Sequence, residues 1–120
     1  MKKVLVIGAT GFIGKHLVKK ISGCELVCMV RKQSKPKDIE FLKNNQAKLI
    51  YGDLNDIKTL KSIPSNIDYV FYLAGGGDVS SLSEGDYKKL EDYNIKTLGN
   101  FLKSIKKVKK IIFFSSISAI

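Results

Sequence analysis

Val4-Leu5-Val6-Ile7-Gly8-Ala9-Thr10-Gly11-Phe12-Ile13-Gly14, followed by the amphipathic segment from Lys15 to Ile21, decides the fold. The apolar run reads as a buried strand, the three glycines as a turn, and the segment after them as a helix. A helix start carries unpaired backbone N–H groups and the positive end of the macrodipole. A glycine loop that lets a ligand come close to them makes a phosphate site.

The same alternation continues along the chain. Phe12, Ile13, Leu17, Val18 and Ile21 form the apolar stripe of the first helix, and Gly23 is placed to end it. Glu25 to Arg31 is a near-continuous apolar run, as a parallel strand covered on both faces requires. Pro36 to Asn45 reads as a short helix with Pro36 in its first turn and Ile39, Phe41 and Leu42 as buried candidates. Ala47 to Tyr51 is a third strand, Asn55 to Ser62 a short helix capped by Asn55, and Ile67 to Leu73 a fourth strand. After a loop rich in glycine and serine, Leu90, Tyr93, Leu98, Phe101, Leu102 and Ile105 recur at helical spacing between about Tyr87 and Ile105. Lys110 to Phe114 is the fifth strand. Strands alternating with helices imply a doubly wound parallel α/β sheet, here in the order 3-2-1-4-5. Its ligand crevice lies at the carboxyl ends of strands one and four, where the winding reverses.

Composition bounds the partners. The 120 residues fit one domain, 1–120, with 44% hydrophobic and 27% charged residues, the balance of an ordinary globular protein. The net charge of +10 raises an anionic partner, nucleic acid included. Yet every basic residue but Arg31 is a lysine, spread over helices and loops. The densest group, Lys103, Lys106, Lys107, Lys109 and Lys110, lies at a helix C-terminus without alternating aromatics, so nucleic acid is not the expected partner. No segment approaches the ~20 apolar residues of a membrane span, and Lys2 and Lys3 precede no convincing signal sequence, so a cytoplasmic location without membrane partner is expected. Cys24 and Cys28 flank or lie on one strand, about 13 Å apart at ~3.3 Å per residue. A disulfide needs Cα atoms within roughly 7 Å, so free thiols are expected, and neither cysteine has the neighbours of a metal site.

The loop wording Gly8-Ala9-Thr10-Gly11-Phe12-Ile13-Gly14 resembles the extended and atypical branches of the short-chain dehydrogenase/reductase superfamily, the NAD(P)-dependent epimerase/dehydratase-like proteins. The resemblance runs over essentially the whole chain but covers only the family's N-terminal, cofactor-binding half. It implies an NAD(P)-binding Rossmann fold. In it Gly8 makes the tight turn, Thr10 belongs to the loop, Gly11 with Phe12 and Ile13 brings N–H groups to the pyrophosphate, and Gly14 lets the helix pack closely. Gly52-Asp53-Leu54 is similar to the family's Asp-Leu pair, whose carboxylate accepts from the adenine amino group while the next backbone holds the ring. Taken alone, an Asp at such a turn is a cap or turn former. Leu73-Ala74-Gly75 resembles the turn that passes beneath the ribose and nicotinamide, extended here by Gly76 and Gly77.

Cofactor choice is read at the end of strand two. An NAD site commonly has an acid there for the ribose hydroxyls. This chain has Arg31, seventeen residues after Gly14, and no acid beyond it until Asp38. A guanidinium grips a 2′-phosphate bidentately, so NADP is favoured over NAD, with Lys32, Ser34 and Lys35 as auxiliary ligands. The competing reading is a solvated basic turn in a protein that uses NAD through backbone contacts.

The family's chemistry uses a serine or threonine, a tyrosine general acid/base and a lysine. Phe113-Phe114-Ser115-Ser116-Ile117-Ser118 resembles the Ser-Ser end of strand five, which makes Ser116 the catalytic candidate ahead of Ser115 and Ser118. Tyr93-Asn94-Ile95-Lys96-Thr97 is similar to the family's Asn-Val-x-Gly-Thr stretch, so Asn94 matches the asparagine that supports the proton relay, but Thr97 stands where glycine is usual. His16, the sole histidine, sits beside the loop as a solvated or packed residue. No Tyr-x-x-x-Lys pair exists: Tyr51, Tyr69, Tyr72, Tyr87 and Tyr93 are followed four places on by Asn55, Leu73, Gly76, Glu91 and Thr97. The expectation is a domain that ends just after strand five and is inactive alone. It would be the N-terminal half of an oxidoreductase or epimerase/dehydratase acting on a small molecule, a nucleotide sugar among the candidates. The alternative is a non-catalytic NADP-binding sensor or interaction module. The uncovered fifth strand also offers an edge for homo-oligomerisation.

Overall fold

The computed structural model describes residues 1–74 and 84–114. The elements run β1 (Lys2–Ile7), α1 (Phe12–Lys20), β2 (Cys24–Val30), α2 (Pro36–Asn44), β3 (Lys48–Tyr51), a 3-10 helix (Ile57–Ser62), β4 (Ile67–Tyr72), α3 (Glu84–Ser104) and β5 (Val108–Phe113). All strand pairs are parallel and the order is β3-β2-β1-β4-β5, the Rossmann arrangement expected from the alternation.

The apolar runs are continuous because successive side chains enter two different cores. Val4 and Val6 of β1 join Leu26, Cys28 and Val30 of β2 beneath Val18 of α1 and Leu42 of α2. Leu5 and Ile7 face the other way, with Val27, Met29 and Val70, against Leu60 of the 3-10 helix and Phe101 of α3. Both layers thus share the central strand β1, and the carboxyl ends of β1 and its neighbour β4 carry the loop at Gly8 and the turn at Leu73.

Three local expectations are corrected. Phe12 and Ile13 leave the stripe of α1: they are 80% and 52% exposed, and Phe12 meets His16 edge-on, with ring centroids 4.6 Å apart. They head the helix before its buried face, defined by Gly14 and Val18, begins. Asp56 rather than Asn55 caps the short helix, accepting from the Lys58 N–H at 3.2 Å, and the helix is 3-10. Gly23 does not cap α1, which ends at Ile21 in extended backbone; its φ of +70° instead turns the chain into β2. Cys24 and Cys28 are free, as expected, and burial pushes the Cys28 thiol up to about 12, an inert packing residue.

α3 runs without interruption through Thr97, whose hydroxyl donates to the Tyr93 carbonyl at 2.9 Å. A threonine in the usual glycine position is accommodated by bonding back to its own helix. Away from the crevice, Asp68 accepts from the Lys3 N–H at 2.8 Å and pairs with Lys109 at 3.1 Å. The hydrogen bond from Lys3 and then that from Lys109 hold its carboxyl below the usual range. A depressed carboxylate stabilises the fold above its unfolded pKa and loses that contribution as pH falls through the folded value. Thermal melts should therefore drop below about pH 4, and Asp68→Asn should flatten that drop; an unchanged acid profile would contradict the assignment.

Candidate functional site

The crevice is built at the carboxyl ends of β1, β2, β3 and β4. Gly8 has φ +89°, and a Cβ there would stand 2.9 Å from the Ala74 nitrogen and the Leu73 carbonyl carbon, so glycine alone lets the loop pass over the end of β4. The Gly11 N–H closes the turn on the Gly8 carbonyl at 3.2 Å. A Cβ on Gly14 would collide with that same carbonyl oxygen and stand 2.7 Å from the Ala9 Cα. Gly14 is what seats α1 against the loop.

Gly11 differs from both. Its φ is −76°, and an added Cβ would meet only the Gly8 oxygen, at an ordinary 3.5 Å. Nothing in the fold itself requires glycine there. It is also the N-cap of α1, without a side-chain cap and with no acid in the first turn, so the positive helix end is left to backbone N–H groups alone.

Seven of the candidate binding residues singled out in the sequence line one cavity of about 220 Å³: Gly8, Thr10, Arg31, Ser34, Asp53, Leu54 and Ala74. That is below the roughly 300 Å³ of a pocket enclosing a whole drug-sized ligand, so it suits one end of a long ligand lying across the sheet edge. Gly11, Phe12, Ile13 and Gly14 continue from its rim into α1. Leu73 lies under Gly8, its N–H donating to the Ile7 carbonyl at 2.8 Å. Lys32 is exposed and outside the cavity lining. Gly75 and Ser116, with Ser115, Ser118, Gly76 and Gly77, lie outside the described residues.

Arg31 follows directly on β2, and its backbone is fixed by a reciprocal pair. Its N–H donates to the Ser34 hydroxyl at 3.0 Å, and the Ser34 N–H donates to its carbonyl at 3.0 Å. Arg31 and Ser34 thereby face the cavity together. Asp38, the nearest following acid, is committed elsewhere. It bridges to Lys15 of α1, whose hydrogen bond is the main cause that holds its carboxyl low. Asp38 is thus engaged with α1, and the acid that shares the cavity with Arg31 is Asp53, after β3.

Asp53 is held by its surroundings. Its N–H donates to the Thr59 hydroxyl at 2.8 Å, and its Oδ1 accepts from the Asn55 N–H at 2.9 Å. One carboxylate oxygen therefore forms the turn, and the residue also lines the cavity. The turn-forming and ligand-facing readings of this residue are compatible. The Asn100 side-chain amide donates to the Leu54 carbonyl at 2.8 Å and ties the turn to α3.

Asn94 lies on α3 beside Tyr93. Its Oδ1 is buried without a hydrogen-bond donor among the described residues, an acceptor whose capacity is unspent. Burial pushes the Tyr72 phenol up, partly opposed by a hydrogen bond with Thr97.

Sequence reasoning missed Met29 and Tyr93, both of which line the cavity. Met29 looked like any apolar strand residue, and Tyr93 like a member of the α3 stripe, although it is 44% exposed. Among the described residues no three histidines, cysteines or carboxylates converge as a metal site, and no helix is long and apolar enough to cross a membrane.

Comparison with known proteins places this architecture. The model of the NAD dependent epimerase/dehydratase family matches residues 4–120. The photosystem II assembly factor Ycf39 of Guillardia theta is 32% identical over 97% of this chain and 35% of its own length. The crystal structure of gox2253 superposes with a TM-score of 0.79 at 29% identity, over 100% of this chain and 36% of that one. The Citrobacter sp. triphenylmethane reductase, complexed with NADP(H), shares the fold with a TM-score of 0.66 at 22% identity, over 94% of this chain and 37% of that one. The chain thus spans about a third of the length of these relatives.

Proposed function

The chain belongs to the NAD dependent epimerase/dehydratase family, and from that premise we propose that it is the NADP-binding domain of an oxidoreductase or epimerase/dehydratase. The observation that carries this reading is the convergence of an uncapped helix start, Arg31 with Ser34, and Asp53 on one crevice. Each has the chemistry of one part of the dinucleotide. The N–H groups of Gly11, Phe12 and Ile13 suit the pyrophosphate, and the sterically unneeded glycine at 11 leaves room for it to approach. Arg31, with Ser34 beside it and Lys32 next in the chain, suits a 2′-phosphate, which a carboxylate would repel. The Asp53 carboxylate suits the adenine amino group, with Leu54 against the ring. Leu73, Ala74 and Gly75 would pass beneath the ribose and nicotinamide. The NADP(H) complex of the Citrobacter reductase, which shares the fold, is consistent with that choice of cofactor.

The bound dinucleotide would supply or accept a hydride. Toward that chemistry these 120 residues offer Ser116, as the hydroxyl that hydrogen-bonds a reacting oxygen, and Asn94, as the acceptor supporting a proton relay. They hold no Tyr-x-x-x-Lys pair. The chain alone should bind NADPH more tightly than NADH and turn over no substrate, a small molecule such as a nucleotide sugar. Fluorescence titration with both nucleotides tests this directly. Equal affinities would remove the role of Arg31, and turnover by the chain alone would remove the need for the missing pair.

A further inference from the structure

Gly52 poses a question that neither the turn nor the backbone answers. Its φ lies outside the left-handed region, so other residues could adopt its conformation. Its N–H donates to the Val30 carbonyl at 3.0 Å, a bond that any residue but proline could make. The restriction is one of space. A Cβ at 52 would stand 3.1 Å from the Met29 Sδ and 3.2 Å from its Cε, with a Leu60 methyl at 3.5 Å. A side chain at 52 would therefore press on the end of the Met29 side chain, which would have to give way by a few tenths of an ångström. Met29 is only 7% exposed, and it lines the cavity together with Arg31 and Asp53.

We propose that Met29, lying across Gly52, is the floor on which the adenine ring rests, and that the bare glycine sets the depth of that floor. This rests on the dinucleotide reading of the crevice. A thioether is soft and polarisable and packs well against an aromatic ring. It shares the cavity with the two groups suited to the ring's substituents: the Asp53 carboxylate for the exocyclic amine, and Arg31 for the phosphate on the adjoining ribose. Adding a methyl group at 52 pushes the sulfur up into the space for the ring.

The chain has only two methionines, Met1 and Met29, so a sample labelled with 13C at the methionine methyls reports on the floor almost without assignment. Addition of 2′,5′-ADP should shift the Met29 methyl by the ring current of the base, and inorganic pyrophosphate should not. Loop amide shifts at Gly11 that saturate with 2′,5′-ADP while the Met29 methyl stays still would overturn the proposal but leave the cofactor reading standing. No shift anywhere with 2′,5′-ADP would remove the cofactor reading and the floor with it. In titrations, Gly52→Ala should weaken 2′,5′-ADP about tenfold, the scale of one misplaced methyl in a pocket. Met29→Ala in the same chain should restore most of it. An undiminished affinity in Gly52→Ala, or no recovery in the double variant, would contradict the mechanism.

Discussion

Replacing Arg31 with Asp is expected to reverse the cofactor preference. The wild-type guanidinium offers charge-assisted hydrogen bonds, each contributing about 1.5–3 kcal/mol, so its removal should cost NADPH roughly tenfold to a hundredfold in affinity. The new carboxylate adds repulsion to a 2′-phosphate and gains hydrogen bonds from ribose hydroxyls. NADH should therefore bind as well as before or better. Because Arg31 is exposed and its fixed contacts run through its backbone, the fold should be unaffected, and the melting temperature is the control. Parallel losses for NADPH and NADH would mean that the residue does not read the phosphate.

The second large effect separates two glycines of one loop. Gly14→Ala should destabilise the domain by about 3 kcal/mol, the upper end of overpacking penalties, because the new methyl meets the Gly8 carbonyl and the Ala9 backbone rather than a side chain that could turn aside. α1 must then move, and the phosphate site with it. Gly11→Ala should leave the melting temperature nearly unchanged, since its Cβ finds an ordinary contact, yet it should weaken NADPH by crowding the pyrophosphate. Thermal melts and nucleotide titrations of both variants check the pair. Equal melting temperatures, or a Gly11→Ala chain that binds like wild type, would contradict the division of roles.

What the sequence made legible follows from where its physics is local. Val4 to Ile7 and Cys24 to Val30 announce buried parallel strands because both of their faces are covered, which leaves no polar alternation to confuse the pattern. The strand order and the place of the crevice followed from that alternation. Helical spacing alone could not tell which side of the α1 start meets the sheet, so Phe12 and Ile13 were counted into a core that begins at Gly14. The cavity residues are a mixed case. Arg31 and Asp53 stood out as charges at strand ends, where a charge needs a reason. Met29 and Tyr93 did not, since an apolar residue in a strand and an aromatic on a helix are ordinary core, and only the packed structure brings them to the cavity wall. Gly52 is legible in the sequence only as part of the Gly52-Asp53-Leu54 turn, because its ordinary φ and its close approach to Met29 belong to the packed structure.

The central claim is that a single crevice, from the Gly8–Gly14 loop to Arg31 and Asp53, holds NADP. Amide chemical-shift mapping of the 15N-labelled chain with NADP+ tests it most directly. The account predicts the largest shifts at Gly11, Phe12 and Ile13, at Arg31 and Ser34, and at Asp53 and Leu54, all saturating with one affinity. Shifts gathered on the lysine-rich end around Lys107 and Lys109, or none at saturating nucleotide, would contradict it.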